Sequence, residues 1–314
     1  MISKEVQVAG LDPAPGTEVE LSGKDLQPVT SDYSDIKVLM YHRIVGDNEH
    51  LADTRWNVSE TQLSKHLDLL SKWGFTCVSF GDYVLHLDGR LALPRKPVIL
   101  TFDDGYDEVY WRAFPILKSH GVRATLFVLG DRSIRSNTWD EAAGAEKARL
   151  LESAKILELH KSGFEIGSHS LTHADLTTLS AADAWDEISG SKAALEDLIH
   201  APVLSFAYPY GATSLLLQRM VQNAGYRLGC GTYSGPPEFQ NDIFNIRRIL
   251  ISRTTSVFDF ALKLLTPYKH YAWLRWKAGQ ALSVGRNKHD PHPLIRPSEP
   301  VHNRENAEGT RLDT

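Results

Sequence analysis

The chain has 314 residues, enough for one large domain or two small ones and for a sizeable buried core. Hydrophobic residues make up 42% and charged residues 23%, which excludes a wholly disordered or fibrous chain. Lys and Arg number 34 against 39 Asp and Glu, a formal charge of −5 that argues against nucleic-acid binding by bulk charge; two distant cysteines, Cys77 and Cys230, leave no disulfide framework and no paired-cysteine metal knuckle.

Residues 1–34 carry Pro13, Pro15, Gly16, Gly23 and Pro28 with little periodicity and read as a flexible arm. Met1–Val8 lacks the apolar core of a signal peptide, and no apolar run reaches the ~18 residues of a spanning helix. The expectation is a cytoplasmic chain without a transmembrane segment. From residue 35 to 266, strands and helices alternate. Ile36–Tyr41 has strand character, and Ser59 caps a helix to Trp73 with Leu63, Leu67 and Leu70 on one face. Thr76–Phe80 reads as a strand. Pro97–Phe102 is continuous and β-branched, as a strand covered on both faces should be. A helix over Tyr110–His120 stops at Gly121, Val122–Leu129 is a strand, and Lys147–Ser162 a helix. Asp131–Leu150 is a polar stretch, read as a surface loop with a lid as the alternative. Phe164–Gly167 is a strand, and Ser180 opens a long helix to Ile199. Val203–Phe206, Tyr226–Cys230 and Ile246–Ile251 complete the strands, with helices near Leu215–Ala224 and Val257–Leu265.

This repeat predicts an α/β fold with a parallel sheet, and about seven units suit a distorted (β/α) barrel, with an open doubly wound sheet as competitor. No glycine-rich nucleotide-binding segment follows any strand. Residues 267–314 form a tail. Its first part, 268–277, holds Tyr271, Trp273 and Trp276 among Lys269, Arg275 and Lys277 and reads as a closing helix, with peripheral membrane contact as the alternative.

In this architecture chemistry sits at the carboxyl ends of strands, and three such ends are unusually polar. Thr101–Gly105 (TFDDG) places two carboxylates after a buried strand, where Gly105 permits a turn that lets both reach one pocket. Like charges that close call for a cation between them or for one neutral partner. Gly167–His173 (GSHSLTH) places two histidines four apart, on the same side of a helical turn, as a metal would require. One carboxylate and two imidazoles leave open positions for water and substrate, which marks a catalytic site. Phe206–Gly211 (FAYPYG) ends an apolar strand in Tyr208, Pro209 and Tyr210, fit to wall a groove against a sugar face and to offer a backbone N–H to an oxyanion. Each segment on its own is also compatible with a turn or cap.

Together the three resemble the polysaccharide deacetylase family, the NodB-type carbohydrate esterases of family four. Thr101–Gly105 matches its TFDDG motif, and His169, Ser170 and His173 match its second. Its third motif usually reads RxPYG and is AYPYG here. Val38–Arg43, Lys72–Phe75 and Pro97–Tyr106 resemble the bacterial branch with YHR near its start. The resemblance implies a NodB-homology barrel, a hydrolase removing the N-acetyl group from an N-acetylated sugar or polysaccharide, and one divalent metal ion, Zn2+ first, held by Asp104, His169 and His173. It makes Asp103 the general base and Tyr210 backbone an oxyanion donor. The arginine that pins the base is missing from the third motif, so Arg248, or Arg247, becomes the base-orienting candidate. The late histidine acid has no match, and His42 at the end of an early apolar strand takes that place. An O-acetyl esterase, a two-histidine iron oxygenase and a non-catalytic sugar-binding module are the rival readings.

Overall fold

A computed structural model of the chain describes residues 36–49, 56–143, 146–232 and 243–266. The expected arm at 1–34 and tail at 267–314, with the segment 268–277, lie outside the described residues. Strand β1 (Lys37–Tyr41) leads through β2 (Arg43–Val45) and β3 (Asn57–Ser59) into helix α1 (Glu60–Lys72). Strand β4 (Thr76–Cys77) is followed by α2 (Phe80–Leu87), β5 (Pro97–Phe102), α3 (Phe114–Ser119), β6 (Thr125–Val128) and α4 (Ser153–Lys161). Then come β7 (Glu165–Ser168), α5 (Ala181–Ile199), β8 (Ser205–Ala207), α6 (Leu215–Asn223), β9 (Leu228–Cys230), β10 (Ile249–Leu250) and α7 (Val257–Leu265).

Seven strands form a curled parallel sheet in the order β10-β1-β5-β6-β7-β8-β9, with β4 paired beside the start of β5 and β2 and β3 forming a separate pair. The segment that enters β10 also bonds the opposite edge: Ile246 bridges Cys230, and Gly231 N–H donates to the Ile246 carbonyl at 2.9 Å. This is a distorted (β/α) barrel. Side chains alternate across it, as a two-residue period demands. Leu39, Tyr41, Val98, Leu100 and Phe102 face the helices, and Val38, Ile99, Phe127 and Leu228 fill the interior with Phe80, Tyr83 and Val84 of α2. Tyr41 and Phe102 are register partners and stack at 5.2 Å on the outer face. The next residue on each strand, His42 and Asp103, is therefore set toward the interior.

Three elements differ from the sequence reading. The strand expected over Thr76–Phe80 ends at Cys77, because Ser79 opens α2. Ser79 Oγ accepts from Asp82 N–H at 3.0 Å and Asp82 returns the bond at 2.8 Å, a capping box legible as SxxD. The helix expected from Lys147 begins at Ser153, since residues 147–150 are drawn into extended pairing of Leu150 with Tyr106 and Arg149 with Ser136. The helix expected over Tyr110–His120 is a π-turn, Val109–Ala113, running into α3, where Pro115 in the first turn has no N–H to give the turn before it.

Candidate functional site

The site is assembled where β5, β7 and β8 run out. After Phe102 the chain turns sharply: Asp104 has φ +68° and Gly105 φ +72°. A Cβ at Gly105 would lie 3.0 Å from Val128 Cγ1, so both the conformation and the space favour glycine there. The turn sends the two neighbouring carboxylates to different partners. Asp103, 2% exposed, is gripped by Arg248, with Nη1 donating to Oδ1 at 2.6 Å and Nη2 to Oδ2 at 2.7 Å. Arg248 is itself buried and donates to the Gly231 carbonyl (3.0 Å) and to Thr101 Oγ1 (3.2 Å). Asp104 lies instead against two imidazoles, its Oδ1 3.2 Å from His169 Nε2 and 3.3 Å from His173 Nε2.

The two histidines come from a loop, not from a helical turn as their spacing suggested. Ser170 (φ +63°) and His173 (φ +69°) both adopt left-handed backbone. The loop is strapped from α5, where Glu187 accepts the N–H groups of Leu171 and Thr172, both at 2.9 Å, and the Thr172 hydroxyl at 2.6 Å. Ser170 Oγ accepts from His173 N–H at 3.0 Å, and the Ser170 and Leu171 carbonyls accept from Gly130 and Asp131. The 3.6-residue rule thus placed the rings on one side correctly for the wrong reason: convergence comes from two left-handed residues and an external carboxylate.

The donor set fits a divalent cation. His169 Nδ1 donates to the Ala207 carbonyl at 2.8 Å, which leaves Nε2, the atom facing Asp104, as the one that would bind an ion. The ligand atoms of Asp104, His169 and His173 all lie within 4.8 Å of one another. Bonds of about 2.1 Å in tetrahedral zinc would separate ligand atoms by roughly 3.4 Å, close to the two carboxylate–imidazole distances. Burial works against charge on Asp104, yet its two histidine neighbours hold the carboxyl well below the usual carboxylate range. Burial likewise opposes charge on Asp103, and the Arg248 guanidinium with His169 and His42 holds its carboxyl below the usual carboxylate range.

The remaining candidates separate. His42 follows β1 at the level where Asp103 follows β5, packs against Trp56 with the rings tilted by 39° and 4.4 Å between centroids, and has its Nδ1 buried without a hydrogen-bond partner among the described residues. Burial pushes its imidazole down, while Asp104 and Asp103 pull it up in part. Tyr210 is 39% exposed at the mouth and meets the His173 ring edge-on at 4.8 Å. Tyr208 and Pro209 do not take the expected place on the groove wall. Tyr208 is fully buried, its hydroxyl donating to the Phe244 carbonyl at 2.9 Å and its N–H to Cys230, because it continues β8 rather than facing the mouth. Pro209 is buried in the following turn. That turn closes on Gly211 (φ +67°), where a Cβ would meet the Thr232 side chain at 2.4 Å. Sequence reasoning missed Trp139, whose indole stacks on His173, and Glu187; neither lies in a motif, though the Ser180 cap and the period of α5 put Glu187 on a helix beside the loop.

Residues 90–229 match the polysaccharide deacetylase family. The Bacillus subtilis (strain 168) protein YxkH, which carries the polysaccharide deacetylase name, is 26% identical over 217 residues, covering 69% of this chain and 71% of YxkH. The poly-beta-1,6-N-acetyl-D-glucosamine N-deacetylase of Escherichia coli (strain K12) is 24% identical over 252 residues, 69% of this chain but 37% of that protein. The crystal structure of BC0361, a polysaccharide deacetylase from Bacillus cereus, superposes with a TM-score of 0.59 at 26% identity over 73% of this chain and 68% of that one. The strand-end cluster and the barrel that carries it lie largely in the segment that matches, and over that segment the chain is similar to polysaccharide deacetylases.

Proposed function

We propose that the protein is a metal-dependent hydrolase that removes the N-acetyl group from an N-acetylated carbohydrate. The observation that carries the reading is the division of labour between two adjacent carboxylates: Asp104 faces two imidazoles and Asp103 faces a guanidinium. Relatives named for deacetylation of polysaccharides, one of them of poly-beta-1,6-N-acetyl-D-glucosamine, support the substrate class.

Hydrolysis of an unactivated amide needs an activated water, a place for negative charge and a proton for the leaving amine. Asp104, His169 and His173 are the residues that would hold the ion, with Zn2+ the first choice for two nitrogens and a carboxylate. A bound divalent ion polarises the acetyl carbonyl and lowers the pKa of water toward ~7. Asp103 takes the proton of the attacking water; Arg248 keeps that carboxylate ionised and fixes both its oxygens. His42, on the adjacent strand, delivers a proton to the departing amine. Tyr210 N–H is the candidate donor to the oxyanion. Beyond Tyr106 the same end of the barrel has a cleft of about 500 Å³ lined by Arg43, Glu108, Trp111, Arg112 and Arg149, room for a neighbouring sugar of a polymer.

The test is release of acetate together with a free amine from a panel of N-acetylated glycans, O-acetylated glycans and single N-acetyl sugars, with chelator-treated protein as control. Acetate from N-acetylated glycans that stops on chelation and returns with Zn2+ supports the reading. Acetate from O-acetyl esters alone would make the protein an esterase, and no acetate from any substrate at full metal loading would reject hydrolysis.

A further inference from the structure

We propose that Trp139 is the positioning residue for His173, holding the imidazole by face-to-face stacking where a hydrogen bond would ordinarily hold a metal ligand. The proposal rests on reading Asp104, His169 and His173 as one cation site.

The two histidines are fixed in different ways. His169 has the usual arrangement, its second nitrogen donating to a backbone carbonyl at 2.8 Å. His173 Nδ1 is buried and has no hydrogen-bond partner among the described residues. Its one polar contact is Nε2 toward Asp104, at 3.3 Å, and no hydrogen bond to the outer nitrogen sets the ring. Aromatic faces do so instead. The Trp139 indole lies 4.2 Å from it, centroid to centroid, at an interplanar angle of 16°. The Tyr210 ring meets it edge-on at 4.8 Å and 77°, and the His169 ring at 4.9 Å and 78°. A ring wedged between a parallel plane and two perpendicular edges cannot rotate about its Cβ–Cγ bond without collision, so Nε2 stays aimed at Asp104.

The indole is itself well held. Trp139 packs against the buried cluster of Tyr106, Leu129, Ala148 and Leu150. Its segment is tied down by Asn137, which accepts from Ala148 N–H at 2.7 Å and donates to the Glu146 carbonyl at 3.2 Å, and by the pairing of Ser136 with Arg149. This polar stretch, read from sequence as a surface loop, is in that case a wall of the metal site. Cation affinity then depends on a residue that contacts neither ion nor substrate.

The experiment titrates chelator-stripped full-length protein with Zn2+ against a competing chelator, following affinity and indole emission, in the wild type and in Trp139→Phe, Trp139→Leu and Trp139→Ala. No substrate is involved, so the outcome does not depend on which acetylated sugar is cleaved. Loss of an outer partner of a ligand ordinarily costs 10- to 100-fold in metal affinity. Trp139→Leu and Trp139→Ala are expected to weaken Zn2+ binding about 10-fold or more, while Trp139→Phe, which keeps a ring face, stays within about 3-fold of wild type. The chain has seven tryptophans; the emission change on adding Zn2+ is expected in the wild type and lost in Trp139→Phe. Melting of the metal-free proteins checks that Trp139→Leu folds. Wild-type affinity in Trp139→Leu would overturn the proposal, as would a raised KM for glycan at unchanged metal affinity, which would make Trp139 a substrate contact. No Zn2+ binding by the wild type would overturn the cation site along with it.

Discussion

Arg248 and Asp103 are both buried, and each carries the charge that directly pairs the other. Removing one partner of such a pair leaves an isolated charge and costs about 3–5 kcal/mol, more than the pair contributes over an apolar replacement. Arg248→Met is therefore expected to lower the urea midpoint strongly. Arg248→Lys keeps the charge but loses the two-pronged grip, so it is expected to fold and yet lose about 10-fold or more in kcat, from a base held less firmly. Equal turnover in Arg248→Lys and wild type would remove Arg248 from the proposed reaction. His42→Ala is expected to slow amide cleavage more than cleavage of activated aryl acetates, whose leaving group needs no proton. Equal slowing on both substrates would make His42 a structural residue packed on Trp56. At this scale the sequence was most readable where the chemistry demands particular residue types at particular spacings, as in Thr101–Gly105 and Gly167–His173. It was silent where a residue acts by shape: a tryptophan inside a polar stretch carries no pattern that announces a stack on His173, and nothing in AYPYG says which tyrosine β8 buries.

The elements hold the site by bonds between them rather than within them. Glu187, in the second turn of α5, gathers three donors from the loop that joins the two histidines. Glu187→Ala is expected to leave the helix intact, since alanine favours it, and to weaken Zn2+ binding about 10-fold or more by loosening that loop. Unchanged Zn2+ affinity would show that Ser170 and the β6 contacts suffice. At the opposite end of the barrel, Glu165 at the start of β7 accepts from Gly81 N–H at 2.7 Å and from Ser205 Oγ at 3.1 Å, fastening α2 beneath the sheet. Burial pushes its carboxyl from 4.5 up to about 7. A raised folded-state value means the protonated form is favoured in the fold: the stabilisation is complete below pH 4.5 and is lost as pH rises through 7. The stability advantage of wild type over Glu165→Gln, measured by urea unfolding, is expected to shrink across that interval. A difference independent of pH would contradict it. Helices α1 and α5 began at the serines the sequence marked, Ser59 and Ser180, because a side-chain cap is a local bond; Ser214 and Ser256 cap α6 and α7 in the same way. The start of α4 was misplaced, since the competing bonds come from Ser136 and Asn137, far upstream in the chain.

At the scale of the whole molecule, the parallel sheet could be anticipated from alternating strands and helices, and its strand order follows from sequential neighbours apart from one feature. β1 is inserted between β5 and β10, which brings an early strand beside the end of the barrel's circuit. That placement sets His42 next to Asp103 and lets Arg248, from the segment entering β10, cross the interior to reach the same carboxylate. Topology of this kind is decided by long-range pairing and leaves no local mark, which is why both residues were harder to place than the motif residues. The account as a whole claims that one cation, one base and one carbohydrate amide meet at this end of the barrel. The most direct measurement follows bound Zn2+ and acetate release side by side on an N-acetylglucosamine oligomer, for wild type and for Asp103→Asn. The account predicts about one Zn2+ per chain in both proteins and a loss of acetate release of ~10²-fold or more in the variant. Near wild-type acetate release from Asp103→Asn, or a wild-type protein that turns over fully without any bound metal, would contradict it.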